Sequence, residues 1–272
     1  MKTKLKIFGM IIVLFFALAG AFFIFGWIAV NLGLTNTPGI KGNRLEVEKS
    51  APISSDKGSS IWDQGEEWQS LEIAIKKDAE VINKVASETD IPARAIVAQL
   101  VVEQLRLFHT ERAAFKEILA PLRILGNQVL FSWGVLGMKE ETAIAVEKHL
   151  TDPASEFYPG KKYEHLLDFK TANHDKERFE RIANERNHYY AYLYAALYLK
   201  EIESQWQKAG YDITSEIGVW STLYNIGFTH SVPKPNPAVG GAAIPIGDTI
   251  WSFGGLAEEF YDSDKLLTEF PR

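Results

Sequence analysis

A single glutamate within a long apolar stretch is the residue best placed for acid–base chemistry. Glu103 lies in residues 96–108, which read Ile-Val-Ala-Gln-Leu-Val-Val-Glu-Gln-Leu-Arg-Leu-Phe. Apolar residues recur there at helical spacing, so we expect Glu103 on a helix, one turn from Gln99 and Leu107. Burial among apolar neighbours raises the pKa of a carboxyl group, which can then donate a proton near neutral pH.

Arg106 supports a second interpretation of the same glutamate. It follows Glu103 by three residues, so the two side chains share one face of the expected helix and can form an ion pair on a solvated surface. A neighbouring guanidinium lowers the pKa of a carboxyl group and opposes proton donation. The helix alone leaves both interpretations open.

The sequence predicts a mainly helical domain around this element. Thr89 and Asp90 are suited to cap the start of the Glu103 helix, and Pro92 suits its first turn. Further helices are expected at 71–86, 112–125, 140–150, from 176 through a tyrosine-rich stretch to just before Gly210, and 213–226. The sequence has no internal repeat and no convincing pair of alternating strands.

Composition excludes several function classes. The chain has 272 residues, of which 46% are hydrophobic, so it can bury a sizeable core. Its formal net charge of -6, without a basic patch, argues against nucleic-acid binding. It has no cysteine, which excludes disulfides, thiolate metal sites and cysteine nucleophiles. We expect neither a metal nor a cofactor.

The N-terminus predicts attachment to a membrane. Residues 1–6 form a lysine-rich cytoplasmic stub, and 7–31 an apolar span long enough to cross a bilayer. Residues 32–66 have the polar, Gly/Pro/Ser-containing composition of a linker, which leaves 67–272 as the folded domain beyond the membrane. A cleaved signal peptide, with its small-residue site at 17–19, is the competing interpretation of the apolar run.

Three stretches in a fixed order resemble the lytic transglycosylase branch of the lysozyme-like superfamily. The first is Glu103 late in its helix, where that family carries its single catalytic glutamate. The second, 132–143, is similar to the family's Ser-Gly-Leu-Met-Gln stretch followed by a Thr-Ala helix start. The third, 223–227, reads Leu-Tyr-Asn-Ile-Gly and is similar to Ala-Tyr-Asn-Ala-Gly. The resemblance covers roughly residues 86–228.

The resemblance implies a lysozyme-like helical fold and a peptidoglycan substrate. An enzyme of this kind cleaves the bond between N-acetylmuramic acid and N-acetylglucosamine in glycan strands, with one glutamate acting first as acid and then as base, and leaves 1,6-anhydro ends. Glu103 would be that glutamate, and four residues would shape the sugar site: Ser132, Gly134, Tyr224 and Asn225. A turn at Gly134 would admit a sugar close to the backbone, and Asn225 would bind an acetamido group. No protein partner is indicated.

The sequence departs from the family pattern at three points. Gly137 stands where the family has glutamine, and Gln104 stands where serine usually follows the glutamate. The spacing from Glu103 to the second stretch is about twice the usual, which admits Glu111 and Glu117 as rival catalytic positions. A lysozyme-type hydrolase and a catalytically inactive wall-binding or scaffold module therefore remain as alternatives.

Overall fold

Helices make up most of the described structure, which confirms the prediction of a mainly helical domain. The computed structural model describes residues 61–109 and 132–272. Eight α-helices lie in these residues: α1 (Glu66–Lys77), α2 (Ala79–Thr89), α3 (Ala93–His109), α4 (Glu140–Thr151), α5 (His174–Ile182), α6 (Tyr189–Lys208), α7 (Ile217–Ile226) and α8 (Phe253–Asp262). Within the described residues, no helix is both long and apolar enough to span a bilayer.

Two short antiparallel hairpins accompany the helices, although the sequence shows no convincing pair of alternating strands. The first pairs β1 (Ser132–Trp133) with β2 (Met138–Lys139). The second pairs β3 (Ala243–Ile246) with β4 (Thr249–Ser252). Ile244 and Ile246 alternate with exposed residues along β3, so one face of this hairpin joins the core.

The start of the glutamate helix differs from the prediction. Residues 71–86 belong to two helices, α1 and α2, which meet at Asp78. Thr89 and Asp90 end α2 and do not cap α3: the Thr89 hydroxyl donates to the Val85 carbonyl, and Asp90 closes the helix in the left-handed conformation with φ 56°. Pro92 lies one residue before α3 and not in its first turn, and its carbonyl accepts the first hydrogen bonds of the helix from Ala95 and Ile96.

The expected continuous helix from residue 176 is also two helices. Asn184 breaks it, because its Oδ1 accepts from the backbone N–H groups of Arg186 and Asn187. Asn187 then accepts from the N–H of Tyr189, where α6 begins. The tyrosines of α6 are mostly core residues, with Tyr192, Tyr194 and Tyr198 all buried.

The core is built around α3, α6 and α7, which are buried on most sides. Trp62, in a 3₁₀ helix at Ile61–Asp63, packs edge-on against Trp68 of α1 with ring centroids 5.0 Å apart. Both rings are buried, so the packed domain extends back into the predicted linker. Helix α8 crosses α7 closely at Gly254: a Cβ atom there would lie 2.2 Å from the carbonyl oxygen of Gly218.

The C-terminal segment is joined to α3 by one buried arginine. The guanidinium of Arg94 is fully enclosed and donates hydrogen bonds to backbone carbonyls. Its acceptors are Phe260, Tyr261, Ser263, Lys265 and Phe270. These bonds hold the end of α8 and the following turns against the helix that carries Glu103.

Several predictions fall on residues outside the described part of the chain. They are the membrane span at 7–31, the linker up to residue 60, and the helix at 112–125. The rival glutamates Glu111 and Glu117 lie there too.

Candidate active site

Glu103 is buried in the third quarter of α3, with its side chain only 5% exposed. Gln99, one turn earlier on the same face of the helix, is also buried, and Leu107, one turn later, is partly buried. The burial of the first interpretation is therefore present, and the solvated face of the second interpretation is not.

The ion pair of the second interpretation is present as well. Nη2 of Arg106 lies 2.6 Å from Oε2 of Glu103, and the Arg106 side chain is 16% exposed. A guanidinium at this distance favours the ionised carboxylate. The structure thus combines the burial required by one interpretation with the partner required by the other.

Tyr224 of α7 brings the third motif to this glutamate. Burial raises the pKa of the Tyr224 hydroxyl, and the negative charge of nearby Glu103 raises it further. The hydroxyl lies 3.4 Å from the backbone carbonyl oxygen of Leu136, to which it donates, although the two residues are 88 positions apart. Tyr224 therefore bonds to the second motif and lies within electrostatic range of the first.

The turn between β1 and β2 is bonded to both α3 and α7. Gly134 and Gly137 adopt positive φ values of 66° and 59°. A Cβ atom on Gly134 would lie 2.3 Å from the carbonyl oxygen of Ile182 at the end of α5. The glycine is therefore required by packing against α5, which is a different reason from the expected approach of a sugar.

Gln104 fixes the same turn to α3, a contact that the sequence analysis did not predict. Its Nε2 donates to the backbone carbonyl of Val135, 31 residues later. Gln104 stands where the family usually has a serine after its glutamate. This departure from the family pattern was the sequence feature that could have indicated a contact made by residue 104. A longer amide side chain at this position suits a contact with the backbone of a distant turn.

The two remaining predicted residues, Asn225 and Ser132, bond to other parts of the domain. Oδ1 of Asn225 accepts a hydrogen bond of 2.8 Å from the N–H of Ala242, so it secures the segment leading into β3. Asn225 lies in the last turn of α7, which ends at Gly227. Any contact of Asn225 with an acetamido carbonyl would use its Nδ2 group as donor. The backbone of Ser132 pairs with Lys139 in the hairpin.

The other carboxylates of the matching stretches lie at a helix start. Glu140 and Glu141 are the first residues of α4, where negative charge interacts favourably with the helix dipole. Burial raises the pKa of Glu140, whose carboxylate lies 4.0 Å from Arg178. Among residues 61–109 and 132–272, no group of three or more His, Asp or Glu side chains is arranged to hold a metal ion.

The chain was compared with protein families, curated proteins and solved structures. None of the three comparisons found a match.

Proposed function

We propose that this protein is a membrane-anchored lytic transglycosylase that cleaves the bond between N-acetylmuramic acid and N-acetylglucosamine in peptidoglycan. Its described domain would be lysozyme-like, with the N-terminal apolar span at 7–31 as the anchor. Glu103 is the proposed acid/base, and the substrate is the glycan strand.

One observation carries the proposal: hydrogen bonds join three motifs that are distant in sequence around the helix of one buried glutamate. Tyr224 is close enough to Glu103 for the charge of that carboxylate to act on its hydroxyl, and it donates to Leu136 in the 134–137 turn. Gln104 holds that turn to the glutamate helix. Three weak sequence matches that converge on one carboxylate support a common function more strongly than any of them does alone.

The proposed reaction needs only one protein carboxyl group. Glu103 gives its proton to the glycosidic oxygen, which leaves with N-acetylglucosamine, while the acetamido group stabilises the cationic C1 atom. The Glu103 carboxylate then takes the proton of the 6-hydroxyl of muramic acid as that oxygen closes on C1. Because Arg106 favours the ionised carboxylate in the free protein, the proposal requires substrate binding to separate Arg106 from Glu103.

Digestion of purified peptidoglycan tests the activity. The full-length chain in detergent should release muropeptides ending in 1,6-anhydro-N-acetylmuramic acid, one water lighter than hydrolytic products by mass spectrometry. Borohydride-reducible ends throughout would instead identify a lysozyme-type hydrolase. Ordinary glycosidases use two carboxyl groups, so that result would point to a second, water-activating carboxylate.

A catalytically inactive wall-binding module is the second candidate, and the Arg106–Glu103 ion pair favours it. A carboxylate held at 2.6 Å by a guanidinium is a poor proton donor. Gly137 also replaces the family's glutamine. This candidate predicts that the chain sediments with insoluble peptidoglycan sacculi and releases no soluble fragment from them.

A further inference from the structure

A second buried glutamate lies apart from Glu103 and has no role in the proposed reaction. Glu201 of α6 is completely buried, and its Oε1 has no hydrogen-bond partner among the described residues. Its Oε2 lies 3.3 Å from Nδ1 of His149, in the last turn of α4. An isolated buried carboxylate is strongly disfavoured, so the protonation state of this pair needs an explanation.

Aromatic rings enclose the histidine of this pair. His149 is stacked on Phe157 with centroids 4.7 Å apart, and the ring of Phe228 meets it edge-on at 4.5 Å. Phe228 in turn packs against Tyr198, one turn before Glu201 on α6, at 4.4 Å. The His149 side chain is 18% exposed. The His149–Glu201 pair is therefore poorly solvated, which disfavours a charge on either side chain.

We propose that Glu201 and His149 form an uncharged, proton-sharing pair in the folded domain, and that this pair makes folding take up a proton at neutral and alkaline pH. The Glu201 carboxyl group donates its proton to Nδ1 of His149, whose other nitrogen carries the ring proton. The inference rests on the fold and not on the proposed function.

The electrostatic surroundings agree with a neutral pair. Burial raises the pKa of Glu201 well above its ordinary value of 4.5. Burial lowers the pKa of His149 from 6.5; neighbouring Lys148 lowers it further, while Glu156 and Asp152 oppose the shift. On α6, the titratable neighbour is Tyr198, whose pKa is raised by burial and then by Glu201.

The two pKa shifts act on stability in opposite directions. Because the pKa of Glu201 is raised on folding, its contribution to the free energy of unfolding is fully present below pH 4.5 and is lost as the pH rises through the pKa of the folded state. Because the pKa of His149 is lowered, its contribution is present above pH 6.5 and is lost as the pH falls through the folded pKa. Between pH 4.5 and pH 6.5 the two effects on stability cancel. The folded and unfolded states then bind the same number of protons at this pair, since the unfolded chain holds the proton on His149. Above pH 6.5 only the loss from Glu201 remains.

Glu201→Gln tests the proposal, because it keeps the size of the side chain and removes its titration. The unfolding constant of the full-length chain is measured in detergent by urea titration, followed by tryptophan fluorescence, at several pH values above neutral. The ratio of the wild-type constant to that of Glu201→Gln should rise about tenfold per pH unit until Glu201 ionises in the folded state. A ratio independent of pH overturns the proposal.

Glu203→Gln is the matched control, with the same change on the same helix. The Glu203 carboxylate already accepts hydrogen bonds from Lys200 and Gln207. The ratio of the wild-type unfolding constant to that of Glu203→Gln should therefore not rise tenfold per pH unit. An equal rise in the control would show that the effect is general for α6 and would also overturn the proposal.

Infrared spectroscopy of the wild-type chain tests the protonation state directly, even if Glu201→Gln fails to fold. At neutral pH the folded protein should show the carbonyl stretch of a protonated carboxyl group, and His149→Gln should alter its frequency because the acceptor changes. Loss of the band on unfolding at the same pH supports the proton uptake. A folded protein without this band would contain an ionised Glu201, and the proposal would be wrong.

Discussion

Arg106 donates a hydrogen bond of 2.6 Å to Glu103 from one turn further along α3, and both side chains lie largely inside the domain. This pair is the point on which the two proposed functions disagree. An enzyme needs the carboxyl group to hold a proton when the substrate is bound, whereas a binding module does not.

Glu103→Gln should abolish catalysis without disturbing the fold. The change keeps the side-chain volume and removes the proton donor, so the rate of peptidoglycan cleavage should fall by about a hundredfold or more. Glu141→Gln, at the exposed start of α4, is the control and should retain wild-type activity. If Glu103→Gln is fully active and Glu117→Gln is not, the catalytic position is Glu117.

Arg106→Met should destabilise the domain by about 3 kcal/mol, because it removes the guanidinium that compensates the buried negative charge of Glu103. The double variant Glu103→Gln/Arg106→Met should recover most of that loss, since neither charge remains. Urea unfolding of the wild type, both single variants and the double variant gives the coupling free energy. Additive single effects would mean that the ion pair is not formed in solution.

Arg94→Met should cost about 3–5 kcal/mol, because it leaves the backbone carbonyls at the end of α8 without their buried donor. Arg272→Met is a close control, since Arg272 also donates to carbonyls of Tyr261 and Ser263 but is exposed. Its unfolding free energy should change by less than about 1 kcal/mol. Similar losses in both variants would contradict the special role of the buried arginine.

Gly254→Ala should destabilise the packing of α8 on α7 by about 1–3 kcal/mol. The added methyl group would meet the carbonyl oxygen of Gly218 and the hydroxyl of Thr222, both at 2.2 Å. Gly255→Ala is the neighbouring control, because the nearest atom to its Cβ is the side-chain hydroxyl of Ser252 at 2.9 Å and not a backbone atom. Thermal unfolding should show the larger decrease for Gly254→Ala.

The apolar run at 7–30 should remain on the mature protein, because it continues uninterrupted past the small-residue site at 17–19. N-terminal sequencing of the protein from isolated membranes measures this. A mature chain that begins near Gly20 would show that the run is a signal peptide.

The sequence predicted the helical class, because apolar periodicity indicates which faces are covered, but it left burial of Glu103 as one of two interpretations. It did not predict the break at Asp78, which carries neither proline nor glycine. That break is stabilised from outside the segment: the Asp78 carboxylate accepts from the hydroxyl of Tyr192 and contacts His188 at 2.6 Å. Contacts over such sequence distances leave no local pattern.

Other differences did leave a signal. Asn184 and Asn187 are residues that bond to nearby backbone N–H groups, and they mark the break between α5 and α6. The second hairpin has a Gly247-Asp248 turn between its short strands, but Pro245 within β3 weakened the strand pattern. For the candidate site, the family resemblance implied that Glu103 and Tyr224 lie near each other, whereas the Gln104 contact depends on the position of a distant turn.

The arginine network also constrains the order in which the chain can fold. Among the described residues, every carbonyl that Arg94 binds comes from residues 260–270, so the guanidinium lacks these acceptors until that segment has been synthesised. Until then, burial of the charged guanidinium is unfavourable, and we expect this side of α3 to stay hydrated. Packing of the start of α3 therefore depends on a segment that lies 166 to 176 residues later in the chain.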